Sequence, residues 1–147
     1  MCYGTKNYMK NRVIHFEIHS LNPEKTAEFY QKVFDWEIKE WEMPDVKPEN
    51  RYWMVMTAPE GSKELGINGG IVVRKSSLPK EGDAVNAFIC TIGVPSVDDY
   101  LEKIKKAGGS IALPKMAVPG MAWLAYAKDI EGNIFGIFEE DKNARNT

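Results

Sequence analysis

From Val13 to His19 the chain reads "VIHFEIH", with Ile14, Phe16 and Ile18 on one side and Val13, His15, Glu17 and His19 on the other. A period of two predicts a half-buried strand. The period then lengthens. In "SLNPEKTAEFYQKVFDWEI", Asn22 suits a helix N-cap and Pro23 the first helical position, while Ala27, Tyr30, Val33 and Phe34 recur as one apolar stripe. Trp36 to about Met43 reads as extended, "PDVKPEN" as a loop and "RYWMVMTA" as a further strand. The turn-like "PEGSKELG" leads to "INGGIVVR", where Asn68, Gly69 and Gly70 imply a tight backbone ahead of a β-branched run.

The polar stretch from Lys75 to Asp83, "KSSLPKEGD", breaks the pattern, and the same order then returns. "NAFICTIGV" alternates as a strand. Ser96 with Asp99 three residues later marks a helix start, Val97, Leu101, Ile104 and Gly108 form its stripe, and Gly108-Gly109 stop it. "SIALP", "AWLAYAKD" and "GNIFGIFEE" have strand character, with "AVPGM" (117–121) as a Pro-Gly rim loop. Matching the inner faces of the two leading strands sets His15 against Ile89, about 74 residues apart.

Two strand–helix–three-strand modules follow from this repeat: an arm over 1–12, module one over 13–75, a linker over 76–83, module two over 84–141 and a polar tail over 142–147. One module alone leaves a sheet face bare. The predicted fold is therefore α+β, with two tandem βαβββ modules in a single domain forming one curved eight-stranded mixed sheet around a central cup. Ile14, Phe16 and Ile18 face the first helix, and Phe88, Cys90, Ile92 and Val94 face the second. Val13, His15, Glu17 and His19, with Ala87, Ile89, Thr91 and Gly93, line the cup.

Composition narrows the function. A net charge of −2 argues against nucleic acid as a partner, because phosphate binding needs a basic face. No apolar run approaches the length of a membrane span, and the first dozen residues lack the apolar core of a secretion signal. Cys2 and Cys90 are too few for a disulfide framework, so Cys90 reads as a small buried hydrophobe and the expected location is cytoplasmic. Phosphate loops, dinucleotide fingerprints and nucleophile elbows are absent from the sequence.

The pieces "VIHFEI", "NPEKTAEFYQKVFDWEI", "INGGIVV", "VPSVDDYLEKIKKAGG" and "KDIEGNIFGIFEED" span roughly residues 12 to 141. Taken together they resemble the vicinal oxygen chelate superfamily: glyoxalase I, bleomycin-resistance proteins, extradiol dioxygenases and fosfomycin-resistance transferases. "INGGIV" with "GNIFGIF" is most similar to its glyoxalase-like, bleomycin-resistance-like branch, which mostly lacks an assigned reaction. The resemblance implies one divalent metal in the cup, bound from the first strand, its counterpart in the second half and the last strand. In this chain the corresponding positions are His15, Ile89 and Gly136, so only His15 matches a ligand. Glu139 alternates to the helix side and Glu140 lies at a strand end.

The expectation is thus a small-molecule binding protein with its ligand in the cup, no cofactor, no metal, and a homodimeric state. Whether it is an enzyme stays open. One alternative is a metal-dependent lyase or isomerase of glyoxalase I type with a remodelled ligand set, in which a divalent ion returns. The other is a non-catalytic regulatory or enzyme-associated module. The ligand-binding candidates are His15, Glu17, His19, Trp53, Ile89 and Trp123, the tryptophans suiting an apolar or aromatic ligand. Glu17 is the candidate catalytic residue: a carboxylate in a half-apolar cup can serve as general base for a proton alpha to a carbonyl.

Overall fold

The computed structural model describes residues 11–83, 88–128, 130 and 133–146. Residues 1–10, which make up most of the expected arm, and Ala87 lie outside the described residues. The element order is β1 (Val13–Ser20), α1 (Pro23–Phe34), β2 (Glu37–Glu40), β3 (Tyr52–Met56), β4 (Gly69–Val73), β5 (Ile89–Gly93), α2 (Val97–Lys106), β6 (Ser110–Val118), β7 (Ala122–Lys128) and β8 (Ile134–Glu140). The fold is α+β as expected, each half contributing one strand, one helix and three further strands. The eight strands form one mixed sheet in the order β2-β3-β4-β1-β5-β8-β7-β6. Among the described residues no helix is long and apolar enough to cross a membrane.

Two compact units divide the chain, one of residues 15–88 and one of residues 89–147 together with 1–14. In the first, β1 runs parallel to β4, and β3 is antiparallel to both β4 and β2. Residues opposite one another in a ladder project to the same face. Phe16, Gly69, Val55 and Ile38 therefore form one row, and Ile18, Ile71, Trp53 and Glu40 the next. This is the α1 side. Phe16 is packed near Trp36 and Phe88, at ring-centroid distances of 6.1 and 5.3 Å, and Trp36 stacks on Tyr30 of the helix at 5.2 Å. A Cβ at Gly69 would lie 2.6 Å from the Phe16 ring, so the glycine makes room for it.

Asn22 caps α1 as expected, its Oδ1 accepting from the Lys25 N–H. The far end of the helix differs from the sequence expectation. Asp35, in the left-handed region at φ 57°, ends the helix without a glycine. Val33 and Phe34 are 54% and 53% exposed, so only Ala27 and Tyr30 of the expected stripe turn inward to any depth. Phe34 still stacks on Trp36 at 5.3 Å, which covers one side of its ring.

In the second unit β5 pairs parallel with β8, and β7 lies antiparallel between β8 and β6. Val94, Val97, Leu101, Ala125 and Ile137 make the core beneath α2, with Ile92, Tyr100 and Ile104 against it. Ser96 caps α2 through the Asp99 N–H, and Glu139 accepts a second hydrogen bond from the Val97 N–H at 2.8 Å. That confirms Glu139 on the helix side. Two expectations are corrected. Phe88 precedes β5 and packs on Phe16 and Tyr30 instead of joining Ile92 and Val94 beneath α2. The sixth strand also runs beyond "SIALP" to Val118, tolerating Pro114 through register shifts between Ile111 and Met116, so the rim turn shrinks to Pro119 through Met121.

Candidate functional site

The opposite face of the first unit carries the polar residues. Here Glu17, Gly70 and Met54 share a row, and His19, Val72 and Tyr52 the next. Tyr52 leans back over Gly70. A Cβ there would overlap the phenol, so glycine at 70 is what lets the ring lie down. Its hydroxyl then reaches His15, with Oη 2.7 Å from Nε2. Burial lowers the His15 pKa from 6.5 to about 4, so the ring is neutral at physiological pH. Glu17, the next residue on this face, is 9% exposed.

Further along β1 the backbone carbonyl of His19 accepts a hydrogen bond from Arg74 Nη2 at 2.9 Å. The His19 imidazole is held below its ordinary pKa by burial first and the Arg74 charge second. His15, Glu17, His19, Tyr52 and Arg74 thus form a polar strip along β1 and its neighbours, flanked by Met54 and Met56. Tyr52→Phe should lower stability by about 1 kcal/mol in urea unfolding, because it removes the partner of a largely buried imidazole.

Trp53 and Trp123 were expected with these residues, and the structure places both elsewhere. Trp53, 4% exposed, lies in the α1-side row with Ile18 and Ile71, and the Arg51 guanidinium sits 4.6 Å from its ring centroid. A single-residue step along β3 decides this: Tyr52 and Met54 take the polar face, so Trp53 cannot. Trp123 packs against the α2 core, and its Nε1–H donates to Asp141 at 3.0 Å. Ile89 is half-buried and alternates with Ile92 and Val94, as expected for the face away from α2. Tyr52 and Arg74, which are not among the expected residues, lie beside His15 and His19. The glycine pair at 69 and 70 was the available signal for Tyr52, since a bare backbone invites a ring from the neighbouring strand.

The chelate resemblance calls for a metal, and the described residues at the three matched positions do not supply its ligand set. At the last-strand position, a Cβ on Gly136 would lie 2.7 Å from Thr91 Oγ1 and 3.3 Å from the Tyr126 ring, so the space for a ligating side chain is filled. Ile89 has no donor atom. His15 Nε2 is already committed to Tyr52. Among the described residues no group of three or more His, Cys, Asp or Glu converges in a way that could hold a metal ion.

No family model and no curated protein matches the sequence. Solved structures do match in fold. A hypothetical protein of Bacillus halodurans C-125 is similar at TM-score 0.59 and 16% identity, over 93% of this chain and 99% of that one. Methylmalonyl-CoA epimerase from Streptomyces coelicolor, in complex with 2-nitronate-propionyl-CoA, is similar at TM-score 0.59 and 15% identity, over 88% and 97%. The Mycobacterium tuberculosis methylmalonyl-CoA epimerase is similar at TM-score 0.57 and 14% identity, over 88% and 87%. At these identities the likeness is one of fold.

Proposed function

We propose that this chain is a small-molecule binding protein of the vicinal oxygen chelate fold that works without the superfamily's three-ligand metal. Its ligand lies along the polar strip of β1, β3 and β4. The observation that carries this reading is the 2.7 Å contact between His15 and Tyr52, which turns the one inherited ligand position into a neutral hydrogen-bonding wall. The fold likeness to proteins solved with acyl-CoA ligands supports a small-molecule partner. Metal content tests the proposal. Protein purified without chelator or affinity tag should carry no stoichiometric divalent ion, and added Zn, Ni, Mn or Fe should leave its melting temperature unchanged. Stoichiometric metal that disappears in His15→Ala would overturn it.

A second reading is favoured by the burial of Glu17: a lyase or isomerase acting alpha to a carbonyl. The Glu17 carboxylate would take the proton from carbon, and the C–H electron pair would pass to the carbonyl oxygen as an enolate. Neutral His15 or the Tyr52 hydroxyl would stand within the same strip to hydrogen-bond that oxygen. In deuterated water the protein should then exchange the alpha-hydrogens of propionyl-CoA, and Glu17→Gln should slow the exchange at least a hundredfold. No exchange above the buffer rate leaves the chain a binder.

A further inference from the structure

The two arginines of the first unit present the same guanidinium edge in different states. Arg51 donates through Nε to Glu40 Oε1 at 2.7 Å and through Nη2 to Glu40 Oε2 at 2.8 Å, a side-on fork closed by a carboxylate. Its Nη2 gives another hydrogen to Glu24 at 2.9 Å. Arg74 repeats half of this. Its Nη2 donates to the His19 carbonyl at 2.9 Å, but its Nε–H is buried and has no hydrogen-bond partner. A buried N–H without an acceptor is disfavoured, most of all on a charged group. The strand ladder fixes the Arg74 backbone through its N–H to the Ser20 carbonyl at 2.8 Å, so only the side chain can relieve the cost.

We propose that Arg74 is the anchor for a carboxylate on the ligand, closing on it side-on as Arg51 closes on Glu40. This rests on the placement of the ligand along the polar strip and adds its chemical class. Because the Nε–H is enclosed, the side chain swings to meet the anion, exchanging one hydrogen bond to a carbonyl for two to a carboxylate. Two other groups of the strip bear on the choice. His19 beside the arginine is neutral and adds no competing charge. Glu17 is acidic and lies one strand repeat back, about 7 Å along β1 from His19. The ligand's carboxylate therefore belongs at the Arg74 end and its uncharged, carbonyl-bearing part at the Glu17 end. Such a ligand is a short-chain carboxylate with a second polar group a few atoms away.

Malonamate, the monoamide of malonate with one carboxylate and one uncharged carbonyl, and the fully uncharged diamide, titrated into the full chain and followed by proton–nitrogen NMR, test this. Malonamate should shift the Arg74 Nε–H resonance saturably and perturb Tyr52 and His15, while the diamide binds at least tenfold more weakly. Arg74→Gln should weaken malonamate at least tenfold. Arg74→Lys, which keeps the charge and loses the fork, should fall between. Unchanged affinity in folded Arg74→Lys and Arg74→Gln proteins, equal binding of the diamide, or no malonamate binding at millimolar concentration overturns the inference. If propionyl-CoA still perturbs His15 and Tyr52 in that event, the polar-strip reading survives without the anchor. If malonamate moves Arg74 alone and leaves His15 and Tyr52 unmoved at saturation, the strip reading falls and the assignment of the ligand's class falls with it.

Discussion

Phe16→Ala is expected to cost about 3–5 kcal/mol in chemical unfolding, the range for emptying a buried aromatic site. Phe16 is 6% exposed and lies between Trp36 and Phe88, over the bare backbone of Gly69. These neighbours belong to different segments, so collapse around the gap requires the helix end, the strand and the β5 approach to move together. Phe29, which stacks edge-on against Tyr30 but is 56% exposed, should lose less than about 1 kcal/mol on the same change. Comparable losses at the two positions would mean that β1 turns its other face to α1.

The second large effect is in pH. An unfolded His15 takes up a proton near pH 6.5, whereas the folded ring resists protonation until about 4. Between those values the unfolded state binds more protons, so stability rises with pH across this window. The contribution is complete above about 6.5 and lost as the pH falls through about 4. The displacement corresponds to about 3 kcal/mol. His19, also lowered, acts in the same direction. Glu40 and Asp141, whose pKa values are depressed below 4.5 and 3.8, lose stability only at more acid pH, so the upper part of the window reports on the histidines. Urea midpoints at half-unit steps should show the slope in the wild type and a shallower one in His15→Asn. A wild-type curve flat from 6.5 to 4.5 would mean that the ring is not buried neutral.

The fold was legible because its signals are local and repeated. Alternation set the faces of β1, the Asn22 and Ser96 caps set both helix starts, and the second half repeated the first. The exceptions lie where alternation is ambiguous. In "YWMVM" every residue is apolar or aromatic and none marks the surface, so the step that places Trp53 under α1 and Tyr52 over Gly70 comes from pairing with β4. Trp123 packs against the α2 core for a related reason: its indole N–H donates to Asp141 beyond the end of β8, a contact eighteen residues away in sequence. Of the expected site, His15, Glu17 and His19 share a face because they lie on one strand. Their partners Tyr52, on β3, and Arg74, just past the end of β4, come from other segments, and no periodicity within a segment reports that. Arg74 is the harder case, since it follows the last residue of β4 just before a polar linker and reads as an ordinary surface charge.

Gly136 bears on how such a chain could change over generations. Thr91 and the Tyr126 ring occupy the space that a glutamate at 136 would need. Introducing the carboxylate first forces a clash inside a paired strand, while shrinking Thr91 or Tyr126 first opens a void with nothing to fill it. Either order passes through a less stable intermediate. Each small gain in packing around the bare glycine raises that barrier further, so a carboxylate at 136 is reached only through at least two coordinated changes.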